Sequence, residues 1–166
     1  MALVLRPGAQ GRELLMMQRA EREGDPWSGQ MAFPGGHREP EDPDLVWTAI
    51  RESQEEMGLD LRPTQLLGPL RPVVSPRLRS VGRQRYVHAY VFGLDAVPEL
   101  RLNHEVAGAH WFSLERLLRG DGRGDFPLEY EGQSFRMPRV DLQGQRIWGM
   151  SLRLLDQLLE RIRQLP

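Results

Sequence analysis

The stretch DPDLVWTAIRESQEEMGL, residues 42 to 59, constrains this chain's architecture more than any other. Asp42 before Pro43 reads as an N-cap with proline at the first helical position, and Gly58 before Leu59 as a glycine stop backed by an apolar residue. A helix is therefore expected between them. At about 100° per residue, Leu45, Val46, Ala49, Ile50, Ser53 and Met57 share one arc that must be covered by a sheet. Glu56 falls inside the edge of that arc, Glu52 just beyond it and Glu55 a little further, so three carboxylates gather on one border between core and solvent.

Such a border needs compensation. Like charges three and four positions apart repel, and anions near a helix C-terminus oppose its partial negative charge, each effect costing roughly a few tenths of a kcal/mol. Partial burial adds to the cost. Arg51 can reach Glu55 one turn on, in the less favourable order, but does not neutralise all three glutamates. A divalent cation does, and oxygen donors without histidine or cysteine suit Mg²⁺ or Mn²⁺. The competing reading is a solvated acidic face paired with distant arginines.

Around the helix, Leu3 to Leu5 and Leu14 to Gln18 read as strands joined by the turn-rich RPGAQG. The Gly- and Pro-rich EREGDPWSGQ reads as a loop leading to MAFPGG. QLLGPLRPVV, QRYVHAYVFGL and AGAHWF read as further strands, giving a mixed sheet. SLERLL is a short helix capped by Ser113, GDGRGDF an exposed loop, residues 126 to 147 a hairpin-like segment, and the last helix buries Leu155, Leu158, Leu159 and Ile162.

With 166 residues, 40% hydrophobic and 27% charged, the chain has the make-up of a globular protein, read as one domain over residues 1–166. A net charge of −1 gives no global steering toward a nucleic acid polymer or a membrane. The lack of cysteine removes disulfides, thiolate metal sites and cysteine nucleophiles. MALVLRPG is too short for a signal-peptide apolar region or a membrane span, so the cytoplasm is the expected location.

FPGG followed by RESQEEMGL resembles the Nudix box, G-x5-E-x7-R-E-U-x-E-E-x-G-U with U a bulky aliphatic residue. Two positions depart from it: Asp42 stands for the first glutamate, with eight residues rather than seven before Arg51, and Ser53 stands at an aliphatic position. The resemblance implies an α/β Nudix fold, a mixed β-sheet sandwiched between α-helices. It also implies hydrolysis, with Mg²⁺ or Mn²⁺, of a nucleoside diphosphate linked to another group. By the same resemblance Glu52 and Glu56 are the principal metal ligands, Glu55 completes the set, and the Gly35 carbonyl lies nearby. Arg51 orients a glutamate, and Glu55, Arg51 and Glu105 are the catalytic candidates. The double glycine Gly35–Gly36 lets the loop backbone approach metal and phosphates closely; the alternative is an ordinary turn. A nucleotide-sensing domain that keeps the fold without the chemistry is the rival class, and its mark would be loss of a box glutamate, all of which this chain keeps.

LLMMQRAEREGDPWSGQMAFPGG resembles the signature before the box in coenzyme A pyrophosphatases, L-L-T-x-R-S-x3-R-x3-G-x3-F-P-G-G, through Leu14, Leu15, Arg19, Gly29 and FPGG. The threonine and serine are missing, one residue is inserted, and Asp25 occupies the second arginine's place. RIWGMSLRLLDQLL resembles the I-W-G-x-T helix start of that subfamily, although Trp148 also reads as a core residue. Arg77, Arg79, Arg83 and Arg85 crowd a loop that either grips phosphate or is merely solvated. Glu105 is a second metal ligand or base, or a surface residue. Trp27 either stacks on a base or packs over its loop. The expected partner is a small-molecule nucleotide substrate bound through Arg19, Gly36, Arg77, Arg79, Arg85 and Trp27, with a homodimer left open. Coenzyme A is the favoured substrate; ADP-ribose, dinucleotides and oxidised nucleoside triphosphates are its rivals.

Overall fold

The structure, a computed structural model, describes residues 1–25, 27–75, 85–130 and 132–165. β1 (Ala2–Gly8) and β2 (Gly11–Arg19) form an antiparallel hairpin in which Leu5 faces Leu14. After a loop come β3 (Met31–Ala32), α1 (Leu45–Met57), β4 (Leu66–Pro69), β5 (Val73–Val74), β6 (Tyr86–Val87) and β7 (Tyr90–Gly93). Then follow β8 (Val106–Ser113), α2 (Leu114–Arg119), β9 (Arg123–Tyr130), β10 (Gln133–Leu142), β11 (Gln145–Trp148) and α3 (Gly149–Arg163).

β2 is the hub of the main sheet. Leu14 pairs with both Leu5 and Phe112, and Met17 with both Ala32 and Ala109, so β1 and β3 share one edge of β2 and β8 takes the other. β1 continues the sheet to β7 in parallel and β7 to β4 antiparallel, which makes the sheet mixed as expected. Period-two alternation splits its side chains between two cores. Ala2, Val4, Leu15 and Met17 meet Ala49, Ile50 and Met57 of α1, while Leu3, Leu5, Leu14 and Met16 join the cluster that holds Leu152, Leu155 and Leu159 of α3. The sheet therefore lies between α1 on one side and α3 on the other.

Four sequence expectations change. QLLGPLRPVV is not one strand, because Leu66–Pro69 pairs with β7 in the main sheet and Val73–Val74 with β6 in a separate one. The N-cap of α1 is Asp44, whose side chain accepts from the backbone N–H groups of Val46 and Trp47; Asp42 is occupied elsewhere, as described below. QRYVHAYVFGL is not one strand: Val87 pairs with Val73 in a two-stranded sheet, Tyr90 pairs with Ala2 in the main one, and His88–Ala89 carry the chain between them. Part of GDGRGDF is strand rather than loop, because β9 begins at Arg123, paired with Val140, and the hairpin-like segment is a three-stranded sheet closed by β11. The glycine stop of α1 stands: Gly58 adopts a left-handed conformation, with φ 62°. Among the described residues no helix is long and apolar enough to cross a membrane.

Candidate active site

The loop from Phe33 to Glu39 connects β3 to α1 and lies against the last turns of that helix. Phe33 is fully buried and pins the loop's start. The Gly35 N–H donates to Glu56 Oε2 at 2.8 Å. A Cβ on Gly36 would sit 2.3 Å from Glu52 Oε1, and one on Gly35, at φ +150°, would meet the Met1 Cα at 2.6 Å. Gly35 is thus required by its close approach to the Met1 backbone, whereas at Gly36 a side chain would displace the end of the Glu52 carboxylate.

The three glutamates occupy different environments. Glu56 is 6% exposed, and burial pushes its pKa up to about 7 against the pull of the Gly35 N–H, with the Glu52 and Glu105 charges adding to the rise. Burial raises Glu52 as well, with Arg51 opposing. Glu55 is half exposed.

Arg51 does more than its helical spacing suggests. Its Nε and Nη2 each donate at 3.0 Å to the two oxygens of Asp42, and Nη2 also donates to the His37 carbonyl at 2.9 Å. Nη1 then reaches both Glu52 at 3.1 Å and Glu55 at 3.0 Å. Arg51 thus reaches Glu55, as its spacing predicts, and Glu52 as well, while Glu56 is left to the Gly35 N–H. Asp42, buried, also accepts from the Glu39 N–H and the Thr48 hydroxyl, and Arg51 holds its carboxyl well below the usual carboxylate range. Sequence reasoning used Asp42 as a helix cap and a stand-in for a box glutamate. Its pairing across nine positions with Arg51 follows no helical period and left no signal.

Glu105 precedes β8 on the loop whose Asn103 N–H donates to the Glu56 carbonyl at 3.0 Å. Its carboxylate, 45% exposed, accepts from Arg22 at 3.0 Å. Arg22 was not anticipated. Arg19 pairs with Asp25 at 2.6 Å and lies near enough to Glu56 to act on it electrostatically. Trp27 is 38% exposed, and its N–H donates to Asp25 Oδ1 at 2.9 Å. Arg85 Nη1 lies 2.8 Å from His37 Nε2, which brings Arg85 to the same loop; Arg77, Arg79 and Arg83 lie outside the described residues. Trp148 is half-buried, edge-on to Phe126 at 5.3 Å between ring centroids.

Among the described residues no three His, Asp or Glu side chains already converge on one point. Arg51 holds Glu52 and Glu55, and the Gly35 N–H holds Glu56. The donor set nevertheless fits a divalent cation: two carboxylates that burial disfavours as anions lie against consecutive glycines, the second of which leaves no room for a Cβ. Glu52 and Glu56 would hold such an ion.

A model of the NUDIX domain matches residues 1–128 of the chain. An uncharacterised protein of Schizosaccharomyces pombe is 39% identical over 108 residues, covering 63% of this chain and 33% of that protein. The mitochondrial coenzyme A diphosphatase NUDT8 of Mus musculus is 33% identical over 150 residues, covering 89% of this chain and 69% of that one. This chain thus spans a third of the yeast relative and just over two thirds of the mouse one. Among solved structures, the NUDIX domain of Shewanella oneidensis NrtR complexed with ADP ribose superimposes with a TM-score of 0.62 at 19% identity, covering 97% of this chain and 84% of that one.

Proposed function

This chain belongs to the Nudix family, and from that premise we propose that it hydrolyses a nucleoside diphosphate linked to another moiety, with coenzyme A or a derivative as substrate. The observation that carries the reading is Glu56, a buried carboxylate with its pKa raised to about 7, seated against a double glycine and one turn from Glu52. A carboxylate that burial disfavours as an anion is one that a bound cation stabilises, which suits Glu56 to hold the metal.

The cofactor in this reading is Mg²⁺ or Mn²⁺, which when bound would neutralise diphosphate charge and lower the pKa of attacking water. Glu52 and Glu56 would hold it, with Glu55 completing the set and the Gly35 carbonyl alongside. Arg51, braced by Asp42 and the His37 carbonyl, fixes where Glu52 and Glu55 point. Gly36 keeps the loop open at Glu52. Glu105, paired with Arg22, is the candidate to receive the water proton. Arg19, Arg85 and the loop arginines 77 and 79 are the candidates to meet the substrate's phosphates, and Trp27 its base.

Coenzyme A is favoured by the Leu14, Leu15, Arg19, Gly29 and FPGG signature and by the name of the mouse relative. A second reading, ADP-ribose or a dinucleotide, is favoured by Asp25, which neutralises Arg19 and so reduces the positive charge available to a further phosphate. Product analysis separates the two. Release of 3′,5′-ADP and phosphopantetheine identifies coenzyme A cleavage, and release of AMP and ribose phosphate identifies ADP-ribose cleavage. Replacing Glu56 by Gln is expected to abolish turnover with folding intact; turnover retained by Glu56→Gln in the presence of metal rejects the assignment.

A further inference from the structure

Among the described residues one buried side-chain polar atom has no hydrogen-bond partner, Nε of Arg19. Arg19 ends β2 where the register against β8 shifts, near enough to Glu56 to act on its charge. Guanidinium Nε and Nη2 form one edge, a fork that matches two oxygens of a carboxylate or phosphate. In Arg51 both prongs of that edge are filled by the two oxygens of Asp42. In Arg19 only Nη2 is filled, by Asp25 Oδ2 at 2.6 Å, because Asp25 Oδ1 is spent on the Trp27 N–H. A buried donor left unpaired is costly and marks a place a ligand can complete.

We infer that Asp25 is a built-in competitor for a phosphoryl group of the substrate, which takes both prongs of the Arg19 fork and displaces the Asp25 carboxylate. The inference rests on the reading of the substrate as a nucleotide-linked diphosphate. It makes residue 25 a specificity determinant, because the chain gives up an internal ion pair for each phosphoryl group it binds at Arg19. A substrate with an oxygen-rich anion at that position repays the loss by filling Nε; one with a neutral group there does not. Release of Asp25 also frees the backbone N–H of Trp27, so the loop between Ala20 and Gln30 loses one of its internal hydrogen bonds when the anion binds.

The test is a double-mutant cycle on Arg19 and Asp25, read by calorimetric titration of ADP in metal-free buffer. Asp25→Asn is expected to tighten ADP binding about fivefold, the scale of a partly exposed ion pair. Arg19→Gln weakens binding, and adding Asp25→Asn to it changes nothing further. Asp25→Ser serves as a second variant, with each thermal midpoint checking the fold. Unchanged or weaker binding in both Asp25 variants overturns the inference, as does a tightening that persists without Arg19, which would report general charge removal. Turnover by the wild type is scored separately. Absent turnover with tightened ADP binding sinks the hydrolase reading alone, and turnover with an unaltered ADP affinity in the Asp25 variants sinks this one alone.

Discussion

Gly35 and Glu56 lie 21 positions apart in the chain and 2.8 Å apart in space, the backbone N–H of the first donating to Oε2 of the second. That single neutral donor does not offset burial, so the carboxylate stays protonated up to about pH 7. Arg51, by contrast, shares its charge among Asp42, Glu52 and Glu55.

The raised pKa of Glu56 makes stability depend on pH. With 4.5 as the unperturbed value and about 7 in the fold, the native state binds the extra proton between them. The contribution is therefore fully present below pH 4.5 and is lost as pH rises through 7, on the order of 3 kcal/mol at most. Metal-free protein is expected to lose thermal midpoint over that window and Glu56→Gln to lose little. Mn²⁺, which needs the anion, should raise the midpoint more at pH 8 than at pH 5. Parallel pH profiles for wild type and Glu56→Gln without metal would count against the buried-carboxylate account.

Gly36→Ala places a methyl group where Glu52 Oε1 lies. Turnover should fall at least ~10-fold through displacement of that carboxylate, the cost of a misplaced catalytic group, with the fold retained. Gly35→Ala meets the Met1 backbone at positive φ instead and should lose about 1–3 kcal/mol of stability. Denaturation curves beside initial rates separate the two effects.

Asp42→Asn removes the charge that braces Arg51. Because Asp42 is held below the usual carboxylate range, its contribution is present above the unfolded pKa of 3.8 and vanishes as pH falls through the lower folded value. The variant should have a lower midpoint than wild type at pH 7, with the difference closing in strong acid. Arg51→Lys should not restore activity, since an ammonium cannot span Asp42, His37 and the two glutamates at once.

Glu105→Gln keeps shape and removes basicity. If Glu105 takes the water proton, kcat falls about 100-fold or more with KM little changed. A Glu105→Gln enzyme with the wild-type kcat would move the base to another carboxylate.

How much was legible can be followed along α1. Gly58 was readable as the stop because only glycine adopts its left-handed conformation cheaply. The start was misread, because DPD offers two aspartates of equal capping ability; which one caps depends on Arg51, which draws Asp42 away through the loop. The broken strand at His88–Ala89 was hidden for a similar reason: alternation continues through it, while its two halves find partners in different sheets.

The sequence by itself determined the mixed sheet between helices, the helix that carries the glutamates and the order of those glutamates from core to solvent, since periodicity within one element decides which side chains share a face. Only the tertiary structure decided that Glu56 is buried beyond Arg51's reach, that Asp42 belongs to Arg51, and that Asp25 sits on half of Arg19. Those facts depend on which groups far apart in the chain meet, and on how much water is left between them. Local spacing encodes neither.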